Sequence, residues 1–367
     1  MAIEKKVADA TFEEQTVQTQ SVKCENCGGN LIYNPELSKL FCSHCDSTLD
    51  VQSFQAEEQD IFSAFEKEEE RWDKDNVELL QCENCGAKTV FNGSESAKTC
   101  PFCGTAHVKK SDELVGLKPN AVLPFEINLE KAVENSVVWA KRKFFAPRKF
   151  KKNINTEHVR GLYVPTFTFD SNTNSIYDGR IGDVRTRRVG SGKNARTETY
   201  VVWRYISGTF GQRFNDLLVT AGSKFDQKNI DKIAPFGTEN SKAYDEKFLL
   251  GYGAYHYDYG VKDCWGRAKD IMDARLKKAI LSQYSYDRVS YLNVSTKHDN
   301  VSYKYVMLPV YVGNYKYNKK VYNFYVNGET GRVGGKTPLS VLKILLTVLF
   351  GVAVVAGLLC LKFFSGQ

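Results

Sequence analysis

The amino-acid sequence predicts a multidomain α+β protein, and three observations carry that prediction. A four-cysteine pattern occurs twice in the first 110 residues. A longer central region alternates between helix-like periodicity and segments rich in aromatic and β-branched residues, as expected when strands and helices share one body. A run of uncharged apolar residues follows near residue 350. The 367 residues are enough for two or three domains.

The composition is that of a folded protein with an uneven charge distribution. Hydrophobic residues make up 42% of the chain and aromatic residues 13%, which is ample for a packed core and excludes a disordered chain. The net charge is +7, yet twelve acidic and only three basic residues lie between Asp46 and Gln81. The remainder is therefore strongly basic, and this split predicts different partners for different segments.

The four-cysteine pattern is an internal repeat with the spacing of metal ligands. Each copy has two Cys-x-x-Cys pairs separated by fourteen residues, and the second copy follows the first by a constant shift of 58 positions. The eight cysteines are Cys24, Cys27, Cys42, Cys45, Cys82, Cys85, Cys100 and Cys103. Zinc takes four tetrahedral ligands, and two such pairs supply four thiolates. The repeat predicts zinc ribbons at residues 21–50 and 80–110, with one zinc ion in each.

Both sites are predicted to be structural rather than catalytic. Four thiolates leave no coordination position for water, and a unit of this size needs its metal to fold. Gly28, Gly86 and Gly104 each follow a Cys-x-x-Cys pair, where a positive φ is expected. A rubredoxin-like iron site fits the same cysteines and stays an alternative. His44 could replace one ligand of the first set, although four cysteines make this unnecessary.

The N-terminal segment argues against disulfides. Residues 1–20 read as a flexible polar lead without the apolar stretch of a signal peptide. Cysteines that stay in the cytoplasm are reduced, and paired cysteines there more often bind metal. Cys264 and Cys360 fall outside the repeat, in a predicted helix and in the apolar run, and are expected to be packed apolar residues.

Residues 51–79 form an acidic linker with a helical apolar stripe. Apolar residues recur at three-, four- and seven-residue steps with charged residues between them, which is typical of an amphipathic helix. The stripe consists of Phe54, Ile61, Phe62, Phe65 and Trp72. Two interpretations remain: a connector helix packed on the ribbons or body, or an acidic helix that docks into a partner.

Residues 115–335 are predicted to form one β-rich α+β body. Its helices are expected at Leu129–Phe145, with Asn128 as the N-cap, and at Asp263–Leu281. The apolar side of the second helix is expected to carry Trp265, Ala268, Ile271, Met272, Ala279 and Ile280.

The strand-like segments of this body form two related units. Leu162–Phe169 and Tyr303–Val312 are both rich in aromatic and β-branched residues. Each contains a proline, Pro165 or Pro309, followed two positions later by an aromatic residue. A proline inside a strand favours an edge or a bulge. Further strands are expected up to the turn signal at Asn327-Gly328.

The apolar run predicts a C-terminal transmembrane helix. Ile344–Leu361 holds eighteen uncharged residues, and the longer segment 339–361 adds only Lys343 among charged residues. Either length spans, or nearly spans, a hydrocarbon core of about 30 Å. A buried core helix is the alternative, although the run exceeds the usual core segment. Basic residues such as Arg332 and Lys336 precede the run, which predicts a single-pass plasma-membrane protein with its N-terminal domains in the cytoplasm.

Two basic segments are candidates for contact with an anionic partner. Residues 141–152 interleave three phenylalanines with basic residues and contain no acid. The basic residues of this segment are Lys141, Arg142, Lys143, Arg148, Lys149, Lys151 and Lys152. The second segment runs from Arg180 to Arg196. Three interpretations remain open: a solvated surface, contact with anionic lipid or an acidic protein, and contact with nucleic acid.

The motifs of common enzymes are missing from the sequence. Gly331–Thr337 resembles a P-loop, but Thr330 stands where its first glycine is required. Neither a Gly-x-Ser-x-Gly elbow nor a His-Glu-x-x-His pair occurs, and the five histidines are scattered. The expectation is a protein that is not an enzyme, with an active site somewhere in the 115–335 body as the remaining alternative.

The chain resembles a group of bacterial membrane-anchored proteins with zinc ribbons of the transcription-factor-IIB type, which are often labelled as similar to the primosomal replication-restart helicase. The resemblance rests on the Cys-x-x-Cys-Gly ribbons, on Tyr163-Val-Pro165, on the Tyr-rich segment Gly251–Gly260 before a charged helix, and on Asn327–Gly331 before the apolar run. It implies a role in membrane-stress systems, in which a membrane-anchored partner recruits flotillin-like (SPFH) or phage-shock-like proteins. A helicase is not expected, because a P-loop and the length for motor domains are both missing.

The predicted architecture is therefore two small zinc ribbons, a β-rich α+β body and one C-terminal transmembrane helix. The predicted function is a membrane-tethered, cytoplasm-facing zinc-ribbon adaptor or scaffold that recruits protein partners. The alternative is a membrane-associated nucleic-acid-binding protein that uses the ribbons and the basic residues within 141–152.

Overall fold

The computed structural model confirms the α+β class, with a large sheet, two four-cysteine clusters and one apolar C-terminal helix. It describes residues 22–67, 78–91, 100, 102–103, 108–111, 116–152, 159–192, 195–317 and 320–364. The strands are β1 (Leu31–Asn34), β2 (Lys39–Cys42), β3 (Thr48–Asp50), β4 (Gln59–Asp60), β5 (Glu78–Cys82), β6 (Lys88–Phe91), β7 (Val108–Ser111), β8 (Ala121–Val122), β9 (Arg160–Val189), β10 (Arg196–Thr220), β11 (Lys242–Ala243), β12 (Gly253–Tyr255), β13 (Arg288–Tyr317), β14 (Lys320–Asn327) and β15 (Val333–Gly335). The helices are α1 (Ile61–Lys67), α2 (Leu129–Arg142), α3 (Arg148–Lys152), α4 (Gln227–Ile233), α5 (Val261–Leu281) and α6 (Val341–Phe364), with short 3-10 helices at Thr238–Asn240 and Glu246–Leu249.

The body is organised around two long antiparallel strands, β9 and β13. Among the described residues, twelve strands form one sheet with the order β11, β8, β13, β9, β12, β6, β5 and β7. Strand β10 pairs with β9, strands β4 and β14 pair with β13, and β15 pairs with β14. Strands β1, β2 and β3 form a separate sheet. The second ribbon's strands β5, β6 and β7 therefore continue the sheet of the body.

The body consists of two units of the same kind that exchange a strand. In the first unit, β8 and α2 precede the hairpin of β9 and β10; in the second, β12 and α5 precede the hairpin of β13 and β14. Strand β8 pairs in parallel with β13 of the other unit, and β12 pairs in parallel with β9. Neither unit can complete its own part of the sheet without the other.

Pro165 and Pro309 occupy equivalent places in the two long strands. Along β9, the neighbour on one side changes from β12 to β10 at Pro165, and along β13 it changes from β8 to β14 at Pro309. Their carbonyl oxygens face this side and accept hydrogen bonds from the N–H groups of Ala221 and Gly328. Proline has no backbone N–H group to donate. At both positions this group would face the gap between the end of one neighbouring strand and the start of the next, so no strand hydrogen bond is lost. This differs from the expected edge or bulge, because both prolines lie within central strands.

Both predicted body helices are present, with shifted ends. Asn128 caps α2 as predicted, since its side-chain oxygen accepts a hydrogen bond from the N–H of Lys131 at 2.8 Å. Helix α2 ends at Arg142 rather than Phe145, because the N–H of Lys143 closes the last turn on the carbonyl of Ala140. Helix α5 packs on the long strands through residues at helical spacing. Its buried residues are Val261, Cys264, Ala268, Met272, Leu276 and Ile280.

In the described part of the acidic linker, the helix begins after Phe54, the first residue of the predicted stripe. Helix α1 is described over Ile61–Lys67, and Asp60 starts it by accepting a hydrogen bond from the N–H of Phe62 at 2.8 Å. Before it, β4 pairs with β13, so this part of the linker is docked on the body. Phe54 is non-helical and 75% exposed, and Trp72 lies outside the described residues. The predicted stripe therefore does not form one continuous face.

The turn after β14 is organised by one buried side chain. Asn327 is fully buried, and its amide donates to the carbonyl oxygens of Ile233 and Pro235 at 2.9 and 2.8 Å. Its side-chain oxygen accepts from the N–H groups of Glu329 and Thr330. Asn327 therefore joins this turn to the end of α4.

Replacing Asn327 with alanine should lower the free energy of unfolding by about 2–3 kcal/mol, because four backbone groups lose their partner in a buried place. Urea unfolding of both forms measures the difference. Replacing the exposed Lys320 of the same hairpin with alanine should change it by less than about 0.5 kcal/mol. Equal effects for the two variants would contradict the structural role given to Asn327.

Helix α6 is long and apolar enough to cross a membrane. Its 24 residues extend about 36 Å at 1.5 Å per residue. The candidate span Val341–Leu358 has a mean hydropathy of 2.5, and none of it is buried against the body. Among the described residues it is the one helix with these properties.

Candidate metal centres

The cysteine pairs of each ribbon lie in tight turns that are closed by backbone hydrogen bonds. In the first ribbon, the backbone carbonyl of Cys24 accepts a hydrogen bond from the N–H of Gly28 at 2.8 Å, and the backbone carbonyl of Cys42 accepts one from the N–H of Asp46 at 2.9 Å. In the second, the N–H of Gly86 bonds to the carbonyl of Cys82 at 2.8 Å. Gly28 and Gly86 have the expected positive φ of 71° and 73°. Gly104 lies outside the described residues.

Asp46 takes the place that glycine has in the other turns, with a φ of 58°. This was not predicted, although aspartate adopts the left-handed region more readily than most residues.

The four sulfur atoms of each ribbon are gathered into one cluster, in which all lie within 4.8 Å of one another. In the first ribbon, Cys24 Sγ is 3.5 Å from Cys45 Sγ, and Cys27 Sγ is 3.4 Å from Cys42 Sγ. The corresponding distances in the second ribbon are both 3.6 Å. A tetrahedral zinc ion with bonds of about 2.3 Å places its sulfur ligands roughly 3.8 Å apart. Each cluster can therefore hold one metal ion with little adjustment.

The sulfur atoms are too far apart for disulfides. In the first ribbon, the site also leaves no room for a side chain at position 29. A disulfide needs about 2.05 Å between its sulfurs, well below these distances, and all eight cysteines are free. A Cβ atom at Gly29 would lie 3.2 Å from Cys42 Sγ and 3.3 Å from Cys27 Sγ. Gly29 thus leaves space for the first cluster, a role the sequence reading missed. His44 is not a member of the cluster.

Burial follows the same order in both ribbons. The first cysteine of every pair is buried, whereas the second faces outward, exposed in the first ribbon and half-buried in the second. The first cluster is therefore closer to solvent. Since four sulfurs close each shell, neither site leaves a position for a metal-bound water.

Hydrogen bonding and burial shift the pKa values of several of these thiols in opposite directions. Hydrogen bonding from the Ser47 hydroxyl, 3.1 Å away, lowers the pKa of Cys45 to about 6. Although the N–H of Gly29 favours a thiolate at Cys27, hydrogen bonding to the sulfurs of Cys45 and Cys42 raises the pKa of Cys27 to about 12. In the second ribbon, burial raises the pKa of Cys85 to about 11. A divalent metal ion would supply the missing positive charge and release these protons.

The first ribbon is attached to the body mainly through Tyr33. The N–H of Tyr33 donates to the carbonyl of Leu250 at 2.9 Å, and its ring packs edge-on against Phe248 at 5.4 Å between centroids. On the far side of the hairpin, Asn128 donates to Glu36 at 2.6 Å. The ribbon therefore lies against the start of the Tyr-rich segment and the N-terminus of α2.

The second ribbon is attached through a continuous sheet. Strand β6 pairs with β12, the N–H of His256 donates to the carbonyl of Lys88 at 3.0 Å, and Phe102 packs on Tyr255 at 5.1 Å. The Tyr-rich segment Gly251–Gly260 therefore lies between the two ribbons. Each metal centre supports one end of it.

A third group of potential ligands is already occupied by a lysine. Glu58, Asp170 and Asp216 bring their carboxylates together, and Lys304 Nζ lies 2.8 Å from both Glu58 Oε1 and Asp216 Oδ1. Although burial opposes the charge of Lys304, its bonds to Asp216 and Glu58 raise its pKa. This is a structural ion cluster that joins the linker to β10 and β13. Sequence reasoning missed it, because its members are up to 246 positions apart.

The two basic segments lie far apart. Lys141, Arg142, Lys143, Arg148 and Lys149 are exposed around the end of α2 and the start of α3. Phe150 of α3 packs against Tyr315, near the Arg160 end of β9. Arg185, Arg187 and Arg188 lie at the other end of β9, beside Arg196 of β10. The two basic segments therefore form separate patches near opposite ends of β9.

Comparison with known proteins identifies one relative along nearly the whole chain. The chain is 31% identical over 325 residues to the uncharacterized protein YdjG of Bacillus subtilis (strain 168). The aligned residues cover 87% of this chain and 90% of that protein. No protein-family model matches the chain. No solved structure matches it either.

Proposed function

The chain belongs to the same family as the Bacillus subtilis protein YdjG, and we propose that it is a membrane-anchored, non-enzymatic scaffold whose two zinc ribbons hold a protein partner near the plasma membrane. The observation that carries the proposal is the pair of closed four-sulfur clusters in a chain that also has an apolar helix suited to a membrane span. Sites closed by four thiolates stabilise a fold and present a surface, whereas catalytic zinc keeps an open position.

The partner-facing surface in this proposal consists of exposed apolar side chains of the first ribbon and of the adjacent acidic linker. Leu37 and Leu49 of the ribbon are 47% and 43% exposed, and Phe54 and Phe62 of the linker are 75% and 70% exposed. Apolar side chains surrounded by acidic ones suit a protein partner with an apolar patch and a basic rim. The resemblance to membrane-stress proteins suggests a flotillin-like or phage-shock-like partner.

The proposed orientation places the ribbons and the body in the cytoplasm. Arg332 and Lys336 precede α6, and Lys343 lies in its first turn. Positive charges are retained on the cytoplasmic side. Zinc is favoured over iron because the sites are most simply structural, and reduced cysteines agree with this compartment.

Deleting residues 338–367 should move the protein from the membrane fraction to the soluble fraction and take the captured partner with it. Replacing Val341–Leu358 with the same residues in scrambled order should preserve membrane association, since length and apolarity are kept. Fractionation followed by cross-linking and affinity capture measures both. A second arm with serine at Cys24, Cys27, Cys42 and Cys45 should lose the partner but stay in the membrane. A partner distribution that neither change affects would contradict the scaffold proposal.

A second candidate function, nucleic-acid binding, is favoured by one observation on the β9–β10 hairpin. Arg180 lies 5.5 Å from the ring centre of Trp203 and 5.4 Å from that of Tyr205, and Tyr205 is 74% exposed. Exposed aromatic rings beside arginines can stack on bases. This function requires binding to single-stranded oligonucleotides that weakens steeply with salt, and no binding at about 50 mM salt would exclude it.

A further inference from the structure

The start of α6 is bonded to the basic segment that connects α2 with α3. We call residues 141–151 the basic turn. Lys343 Nζ donates to the carbonyl oxygens of Phe144 and Ala146 at 2.9 and 2.7 Å, and the N–H of Ser340 donates to the carbonyl of Phe145 at 2.8 Å. These three bonds fix the basic turn beside the first residues of the candidate span.

The basic turn is a supported surface. Ala146 and Phe150 are almost fully buried, and Phe150 packs edge-on against Tyr315 at 5.1 Å. Lys151 Nζ bonds back to the carbonyl of Lys141 at 3.0 Å and closes the turn. The backbone is therefore held in place while the outward side chains stay free to meet a partner.

The outward side chains combine positive charge with aromatic rings. Phe144 is 66% exposed and Phe145 is 39% exposed. The exposed basic side chains are Lys141, Arg142, Lys143, Arg148 and Lys149. No ion pair with a carboxylate involves these five in the part of the chain that the structure describes. Their charge is therefore available to an external anion.

We propose that the basic turn binds the phosphate groups of anionic phospholipids in the bilayer that α6 enters. This inference rests on the membrane anchoring proposed above. Phenylalanine side chains can bury at the boundary between headgroups and acyl chains, and basic side chains are attracted to an anionic surface. Because three hydrogen bonds tie the turn to α6, lipid contact would also fix the direction in which the body leaves the membrane.

The position of the turn favours lipid over nucleic acid. Ser340 and Lys343 place it beside the first turn of a helix that has no other partner along its apolar surface in the described structure. The arginines of the β9–β10 hairpin, by contrast, lie at the opposite end of β9 and have no bond to α6. They provide a second group of arginines in a different place, where Arg187 pairs with Glu198 at 2.9 Å.

Hydrogen exchange of the full-length protein in lipid nanodiscs tests this inference. Discs of phosphatidylcholine alone are compared with discs that also contain phosphatidylglycerol. We expect the backbone amides of residues 143–150 to exchange at least about fivefold more slowly in the anionic discs, the effect of one retained charge contact. High salt should reduce the difference, because it screens exposed charges.

Two variants that each remove four positive charges separate a local site from net charge. The first has alanine at Lys141, Arg142, Arg148 and Lys149, and the second has alanine at Arg185, Arg187, Arg188 and Arg196. The first should lose the slowing by anionic lipid, and the second should keep it. Loss in both variants, or equal exchange of the unmodified protein in the two kinds of disc, would overturn the proposal.

Two further outcomes are distinguished by the same preparation. Protein that alkaline carbonate extracts from the membrane would contradict the proposed anchoring rather than the lipid site. If a single-stranded oligonucleotide slows exchange over residues 143–150 and anionic lipid does not, the turn binds nucleic acid and the lipid proposal is wrong.

Discussion

Serine in place of Cys100 is expected to reduce bound metal from two ions per chain to one and to destabilise the body by several kcal/mol. Structural zinc contributes about 10–16 kcal/mol of binding free energy in small zinc-ribbon-sized peptides near neutral pH. Here that energy reaches beyond the ribbon, because β6 continues into the body through β12 and Phe102 packs on Tyr255. Elemental analysis measures the metal content, and thermal unfolding measures the stability.

The same substitution at Cys42 should also remove one ion but act more locally. The first ribbon forms its own sheet, which in the described part of the chain does not pair with a strand of the body, and it meets the body through side chains such as Leu31, Tyr33 and Leu40. Hydrogen exchange should therefore rise near residues 248–251 in this variant, and near 253–257 in the Cys100 variant. Alanine at Cys264, which is buried but belongs to neither cluster, should leave two ions bound. Two ions in the Cys100 variant, or one in the Cys264 variant, would contradict the assignment of the ligands.

Replacing Lys304 with methionine should cost at most about 3–5 kcal/mol of unfolding free energy, the effect of breaking a fully buried ion pair, because the two carboxylates that lose their partner are partly exposed. Only 6% of the Lys304 side chain is exposed, and its ammonium group lies between Glu58 and Asp216 with Asp170 close by. Urea unfolding near neutral pH measures the loss. Methionine at the exposed Lys297 of the same strand, whose side chain is 77% exposed, is the matched control and should cost less than about 1 kcal/mol.

The deficit of the Lys304 variant should become smaller as the pH falls. Burial already raises the pKa of Glu58 in the folded protein, and without the lysine the neighbouring carboxylates would raise it further. A carboxyl group whose pKa is higher in the folded state favours folding at low pH and loses this advantage as the pH rises through that value. Glutamine at Glu58 together with methionine at Lys304 should recover part of the loss. A deficit that grows on acidification would show that the cluster does not act through these charges.

Local features of the sequence predicted the parts of the structure that depend on local order. The Cys-x-x-Cys turns with positive φ at Gly28 and Gly86, the cap at Asn128 and the apolar helix α6 all follow from short-range rules. The α+β class followed from the alternation of periodicities. The four-sulfur clusters are where the repeat placed them, while zinc itself remains a prediction.

Features that depend on distant pairing could not be predicted in this way. Nothing near β12 in sequence indicates that Ala254 pairs with Val90 on one side and with Tyr163 on the other. Likewise, the two acidic partners of Lys304 come from a linker and from a bulge in β10. The helix expected over the linker stripe does not extend back to Phe54, because Gln59 and Asp60 form strand β4 and pair with β13. Long-range strand pairing overrode local helical periodicity there.

The exchange of strands between the two units of the body determines the order in which parts of the chain can fold during synthesis. Both metal ligand sets are complete once Cys103 has been translated, whereas the central strand β13 is made only from Arg288 onward. Until then β8 has no parallel neighbour and β9 lacks the strand with which it pairs over most of its length. Domains made early fold first during translation, and distant strand pairs form slowly. We therefore expect the metal-binding turns to form first on the nascent chain, and the main sheet to close only after β13 and β14 have been made, shortly before α6.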